Sequence, residues 1–135
     1  MSGKEAIYVK DVMKEQYDMV ESVATVRQAL EVMHHVETKC LIVDKGHDKD
    51  EYGIVMIADI ANKVLAANRN PDRVSIYEVM SKPAITVHPD MDIRHTSKLF
   101  GQFGLSRAPV VDRNGKIIGI ISHTDMVMKG LLKLI

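Results

Sequence analysis

Ser122 and Asp125 stand three residues apart, where the apolar run Gly119-Ile120-Ile121 gives way to a segment of helical pattern. At the start of a helix, unpaired backbone N–H groups and a positive dipole end suit a phosphate. A hydroxyl from Ser122 or Thr124 adds a hydrogen bond. A carboxylate such as Asp125 accepts both hydroxyls of a ribose, as acidic residues do in dinucleotide sites. The same Ser-x-x-Asp spacing also makes a capping box, in which the serine caps the helix and the acid reaches back. The two readings are compatible, but capping needs no ligand. Sixty-six residues earlier the pattern returns as Met56-x-x-Asp59. There the acid survives and the hydroxyl is lost, so the later site is expected to bind better.

Other reactive side chains point to little chemistry. Ser122, His123 and Asp125 sit too close together on one helix start to form a nucleophile–base–orienter chain. The chain has no Walker loop, dinucleotide fingerprint or zinc-protease motif. His34 and His35 are adjacent, about 100° apart on a helix, and cannot share a metal as an i, i+4 pair does. Cys40 is the single cysteine, which excludes an internal disulfide and a cysteine-cluster metal site, and it is expected to pack as a small apolar residue. No catalytic residue and no metal ligand is assigned.

The elements that must hold these residues come twice. Asp11-Val12-Met13 returns as Glu78-Val79-Met80 at an offset of 67. Cys40-Leu41-Ile42-Val43-Asp44 meets Ala108-Pro109-Val110-Val111-Asp112 at 68, and Gly53-Ile54-Val55-Met56 meets Gly119-Ile120-Ile121-Ser122 at 66. Ordered matches with small drift indicate a duplicated unit. Each copy predicts a short strand (19–21 and 84–87), then a helix. Val26, Ala29, Leu30 and Met33 mark the first helix; Ile93, Leu99, Phe100 and Phe103 give a looser second stripe. Two strands follow (39–44 and 52–57; 107–112 and 116–122), then a closing helix (58–68 and 123–133). Asn114-Gly115 is the strongest hairpin signal, since both positions tolerate positive φ. The equivalent loop 45–51 is longer and charged, and is expected to be solvated and mobile. Asn70-Pro71-Asp72 is expected to break the first closing helix.

Each unit is βαββα, and about 60 residues bury too little for a lone copy to be robust. The expectation is an α+β fold: repeat 1 over residues 1–70 and repeat 2 over 71–135, packed sheet to sheet with an internal pseudo-two-fold axis. Among nine methionines, Met13 and Met80 are expected under the sheets, and Met126 and Met128 on a partner-facing helix.

Composition fits this picture. The chain has 135 residues, 46% hydrophobic and 27% charged, with Lys+Arg 18 against Asp+Glu 18. Zero net charge and only 4 Tyr and 2 Phe argue against a nucleic-acid binder. No apolar run reaches the roughly 18 residues of a membrane span. Met1-Ser2-Gly3-Lys4-Glu5 lacks the apolar core of a signal peptide. A cytoplasmic protein is expected. Charge is uneven: residues 1–67 carry 8 Lys+Arg and 12 Asp+Glu, and 68–135 carry 10 and 6, a pattern by which the halves attract each other or a partner copy, or the second half favours an anion.

The ordered set of acid-Val-Met, strand, helix, Pro-Val-Val-Asp-x-x-Gly hairpin and Gly-apolar-apolar-Ser-x-x-Asp resembles the cystathionine β-synthase (CBS) domain. Its double occurrence, from about Val9 to about Leu131, resembles the tandem CBS pair, or Bateman module. That resemblance implies a regulatory, signal-transducing module that binds AMP, ADP, ATP or S-adenosylmethionine in the cleft between repeats. It also implies a homodimer formed through helices and an unknown regulated protein. By the same resemblance, adenine lies against Ile85, Thr86, Ser106, Ala108 and Pro109, Arg107 meets phosphate, and Ser122, Thr124 and Asp125 hold phosphate and ribose. His88 and His123 flank this site as surface residues or phosphate contacts. The copy-one equivalents include Thr38, Lys39, Cys40, Leu41 and Asp59, with Asp18 and Met19 in place of Ile85 and Thr86. Asp18 there either repels phosphate or faces solvent. The alternative is a structural adaptor that dimerises without ligand, its pockets degenerate.

Overall fold

The computed structural model describes residues 6–134; the reading of Met1–Glu5 as lacking a signal peptide lies outside the described residues. The elements run α1 (Val9–Val12), β1 (Met19–Val20), α2 (Val26–Glu31), β2 (Cys40–Val43), β3 (Gly53–Met56), α3 (Ile57–Ile60), α4 (Ile93–Phe103), β4 (Arg107–Val111), β5 (Ile117–Ser122), α5 (His123–Asp125) and α6 (Leu132–Leu134). Wider π-type turns, Ala61–Leu65 and Met126–Leu131, continue α3 and α5. The fold class is α+β; the first copy has the expected βαββα plan, and the second has it with the first strand reduced to a bridge.

Two compact units form. One is Tyr17–Ala84; the other joins, among the described residues, the segment up to Gln16 to the chain from Ile85 onward. These units differ from the sequence boundary at 70/71. The reason lies in the short segment leading each repeat. Ile7, Val9 and Val12 are buried in the cluster of Phe100, Val110, Ile121 and Met126. Val74, Ile76 and Val79 are buried in the cluster of Val26, Leu41, Val55 and Val64. Each leader thus packs in the unit that carries the other copy's hairpin.

In the Tyr17–Ala84 unit, β1 pairs parallel with β2 (Met19 opposite Ile42), and β2 pairs antiparallel with β3 (Cys40 opposite Met56). Ser81 adds an antiparallel bridge to Ile54. The second unit repeats this with β4 and β5, Arg107 opposite Ser122, and Lys14 bridging Ile120. Its expected first strand, 84–87, is reduced to one parallel bridge between Val87 and Val110. Pro83 and Pro89 bracket it, and neither has an N–H to lend to a ladder.

Several expectations change in detail. Thr25 caps α2 through Gln28 N–H (3.1 Å), and Val26 and Ala29 face the core while Leu30 is exposed. In α4 the buried face is Ile93, Thr96 and Phe100; Phe103 turns to solvent. The first closing helix ends at Asn68, in left-handed backbone at φ 54°, before Asn70-Pro71-Asp72 is reached. In the 112–116 turn only Gly115 takes positive φ, 76°, while the Asp112 carboxylate accepts Asn114 and Lys116 N–H groups. The charged loop 45–51 is mostly exposed, as expected, and makes contacts of its own. The Asp50 carboxylate accepts the Gly46 N–H (2.8 Å) and pairs with Lys82 (2.7 Å), and Lys45 stands over the Tyr52 ring. Met126 is core, whereas Met128 is exposed.

Candidate functional site

The candidate site of the second copy lies where β4 begins and β5 ends. Antiparallel pairing sets Arg107 directly opposite Ser122, so the two side chains share a sheet face. Ser106 O accepts the His123 N–H at 3.1 Å, which closes this end of the hairpin against the start of α5. The Arg107 guanidinium donates through Nε to Ser106 Oγ at 3.3 Å. Ile85 and Thr86 run beside the first residues of β4, since Val87 N–H donates to Pro109 O and Val111 N–H to Val87 O. Ser106, Arg107, Ser122, Asp125, Ile85 and Thr86 are therefore brought to one end of the sheet.

The remaining expected residues differ in position or exposure. Parallel register carries His88 past Val87 toward the far end of β4, on the order of 13 Å of strand from the Arg107 level. Ala108 is buried in the unit's own core cluster, so its side chain is committed to packing. Pro109 is buried and Thr124 is exposed on α5. His123 is exposed and packs T-shaped on Phe100, centroids 5.1 Å apart.

Asp125 is 2% exposed, and protein groups already engage both its oxygens. Oδ2 accepts the Ser122 hydroxyl at 2.9 Å, while Ser122 Oγ accepts the Asp125 N–H at 3.2 Å. The motif is thus a working cap. Oδ1 meets Lys14 Nζ at 2.6 Å and Lys129 Nζ at 3.3 Å. Burial by itself pushes the carboxyl up. Hydrogen bonds from Lys14 and Ser122, with the charges of Lys14 and Lys129, outweigh it and hold Asp125 below the usual carboxylate range.

Sequence reasoning missed both lysines. Lys129 carried a signal, since it lies four residues after Asp125 on the same helix face. Lys14 carried none: 111 residues separate it from Asp125, and only its bridge to Ile120 brings it there.

The first copy is built differently. Asp59 Oδ2 accepts the Met56 N–H at 2.9 Å, so the acid reaches back without a serine. Among the described residues Asp59 pairs with no cation. Lys39 is exposed and left-handed at φ 59°, and its carbonyl accepts the Ile57 N–H. Cys40 is fully buried. Asp18 neither faces solvent nor stands open to repel a phosphate. It is buried, and its carboxylate accepts the N–H groups of His34 (2.9 Å) and His35 (2.8 Å). It ties down the backbone between α2 and the following 3-10 turn, Val36–Thr38.

The family model described as CBS domain matches twice, at residues 9–66 and 76–130. An uncharacterized protein of Methanopyrus kandleri is 42% identical over 60% of this chain and 42% of its own length. The CBS domain-containing protein YhcV of Bacillus subtilis is 29% identical over 89% of this chain and 83% of its own. An L-aspartate semialdehyde sulfurtransferase of Methanocaldococcus jannaschii is 30% identical over 87% of this chain, which spans only 22% of that enzyme. Among solved structures, a hexameric CBS-CP12 protein from bloom-forming cyanobacteria superposes with TM-score 0.85 at 33% identity, covering 92% of this chain and 71% of that one. The CBS domain pair of protein MJ0100, in complex with 5′-methylthioadenosine and S-adenosyl-L-methionine, superposes with TM-score 0.74 at 25% identity, covering 91% of this chain and 98% of that one.

Proposed function

The chain belongs to the CBS-domain family and carries two of its repeats, and from that premise we propose that it is a regulatory module binding an adenosine-containing ligand at the second-copy site. The observation that carries this reading is the convergence of Ser106, Arg107, Ser122 and Asp125 at one sheet end. A guanidinium, two hydroxyls and a carboxylate there match the phosphate and diol of a nucleotide in kind. The adenosine ligands of the MJ0100 pair, a relative of similar length and fold, support the ligand class. Bound ligand acts by favouring the shape or rigidity it binds best, and a regulated protein reads that change. The molecule works as a homodimer in the cytoplasm, and its site binds without reacting.

A second reading has its own support. Protein groups occupy both oxygens of Asp125 and both of Asp18, as they would in an adaptor that folds and dimerises without ligand.

Thermal denaturation with millimolar AMP, ADP, ATP or S-adenosylmethionine separates the two. A ligand at about 100 times its Kd adds roughly 2.7 kcal/mol and raises the melting temperature by several degrees. Asp125→Ala is expected to remove most of that rise. No shift with any of the four compounds leaves the adaptor reading.

A further inference from the structure

Lys14 is fixed by its backbone before its side chain is considered. Its N–H donates to Ile120 O and its carbonyl accepts the Ile120 N–H, both at 2.8 Å. That anchors the ammonium two residues from Ser122, on the edge of β5. The side chain is 26% exposed, while the carboxylate it meets at 2.6 Å is nearly fully buried. A diol donating to Asp125 Oδ1 displaces an ammonium from it, and Lys14 is the closer of the two. The displaced ammonium then needs a new anion beside a site that already holds Arg107 and Lys129. A phosphate on the ligand supplies one. An uncharged nucleoside leaves the lysine to water alone, and a sulfonium adds a further positive charge.

We propose that Lys14 is a specificity-determining residue, which makes the second-copy site select adenosine ligands that carry phosphate over neutral or cationic ones. This rests on the nucleotide reading above. The first copy lacks the device: Ser81 makes the same bridge to Ile54, and a serine brings no charge to Asp59.

Calorimetric titration of the full chain with 5′-AMP, adenosine and S-adenosylmethionine tests this, using wild type, Lys14→Gln and Lys14→Arg. Glutamine keeps a donor for Asp125 and removes the charge; arginine keeps both. Far-ultraviolet circular dichroism and a melt check that each variant is folded. Wild type is expected to bind AMP at least about tenfold tighter than adenosine or S-adenosylmethionine, the size of one charge-assisted hydrogen bond. Lys14→Gln should erase most of that preference, chiefly by weakening AMP, and Lys14→Arg should retain it. Binding of all three compounds with equal affinity in wild type overturns the selectivity, as does a preference that Lys14→Gln leaves unchanged; the nucleotide reading survives either result. Failure of wild type and both folded variants to bind any compound overturns the nucleotide reading, and this inference with it.

Discussion

Asp125 shows how much depends on one buried carboxylate. Its oxygens accept one hydroxyl and the Lys14 ammonium and form an ion pair with Lys129, and its N–H closes the serine cap. Because its folded pKa is depressed, it stabilises the protein at pH values above its unfolded pKa of about 3.9. That contribution is lost as pH falls through the lower, folded value. The stability gap between wild type and Asp125→Asn should be widest near neutrality and shrink below about pH 4. Urea denaturation at several pH values measures it. A gap that stays constant down to strongly acid pH would remove the linkage. Asp50 makes a similar arrangement at the surface. Its hydrogen bond to Lys82, then those from the Gly46 and Glu51 N–H groups, hold its carboxyl far below the ordinary range. The residue types that could contact a nucleotide were legible in the sequence. Their committed partners were not, because Lys14 reaches Asp125 through a strand bridge rather than through local spacing.

At the scale of elements, the edge of β5 couples the leading segment to the site. A Cβ at Gly119 would lie 2.6 Å from the Lys14 carbonyl oxygen and 3.0 Å from Met13 Sδ. Backbone cannot yield as a flexible side chain does, so Gly119→Ala should cost about 1–3 kcal/mol. It should also weaken ligand binding by shifting Lys14. Gly101 in α4 has open space around its Cβ position, and alanine there should stabilise by about 0.5–1 kcal/mol. Guanidinium denaturation of the two variants gives the contrast; equal effects would deny the close approach at Gly119. Strands β2 to β5 were readable from apolar runs and the Asn114-Gly115 turn. The strand expected at 84–87 was not readable as a lone bridge, since apolar pattern reports burial more reliably than hydrogen-bonding partners.

At the scale of the whole molecule, the terminal helical stretch leaves Val127, Met128, Leu131 and Leu132 substantially exposed, along with Phe103 on α4. Val127, Met128, Leu131 and Leu132 fall at helical spacing on one face, the kind of exposed apolar surface that interactions use, and the proposed homodimer places a second copy there. Sedimentation at micromolar concentration should show a dimer for wild type and a monomer for Met128→Glu/Leu132→Glu, with helical content unchanged. A monomeric wild type would end that proposal. Among the described residues no helix is long and apolar enough to cross a membrane.

Amino-acid order alone determined that a βαββα unit is doubled and that an acid follows the last strand of each copy, because periodicity and repeat spacing are local properties of a chain. The compact units, with each leader segment buried away from the sequence boundary, were decided only in three dimensions. So was the engagement of Asp125 and Asp18 by distant groups. Apolar anchors such as Ile7, Val9, Ile76 and Val79 go wherever they remove the most surface from water, and sequence distance places little limit on that choice.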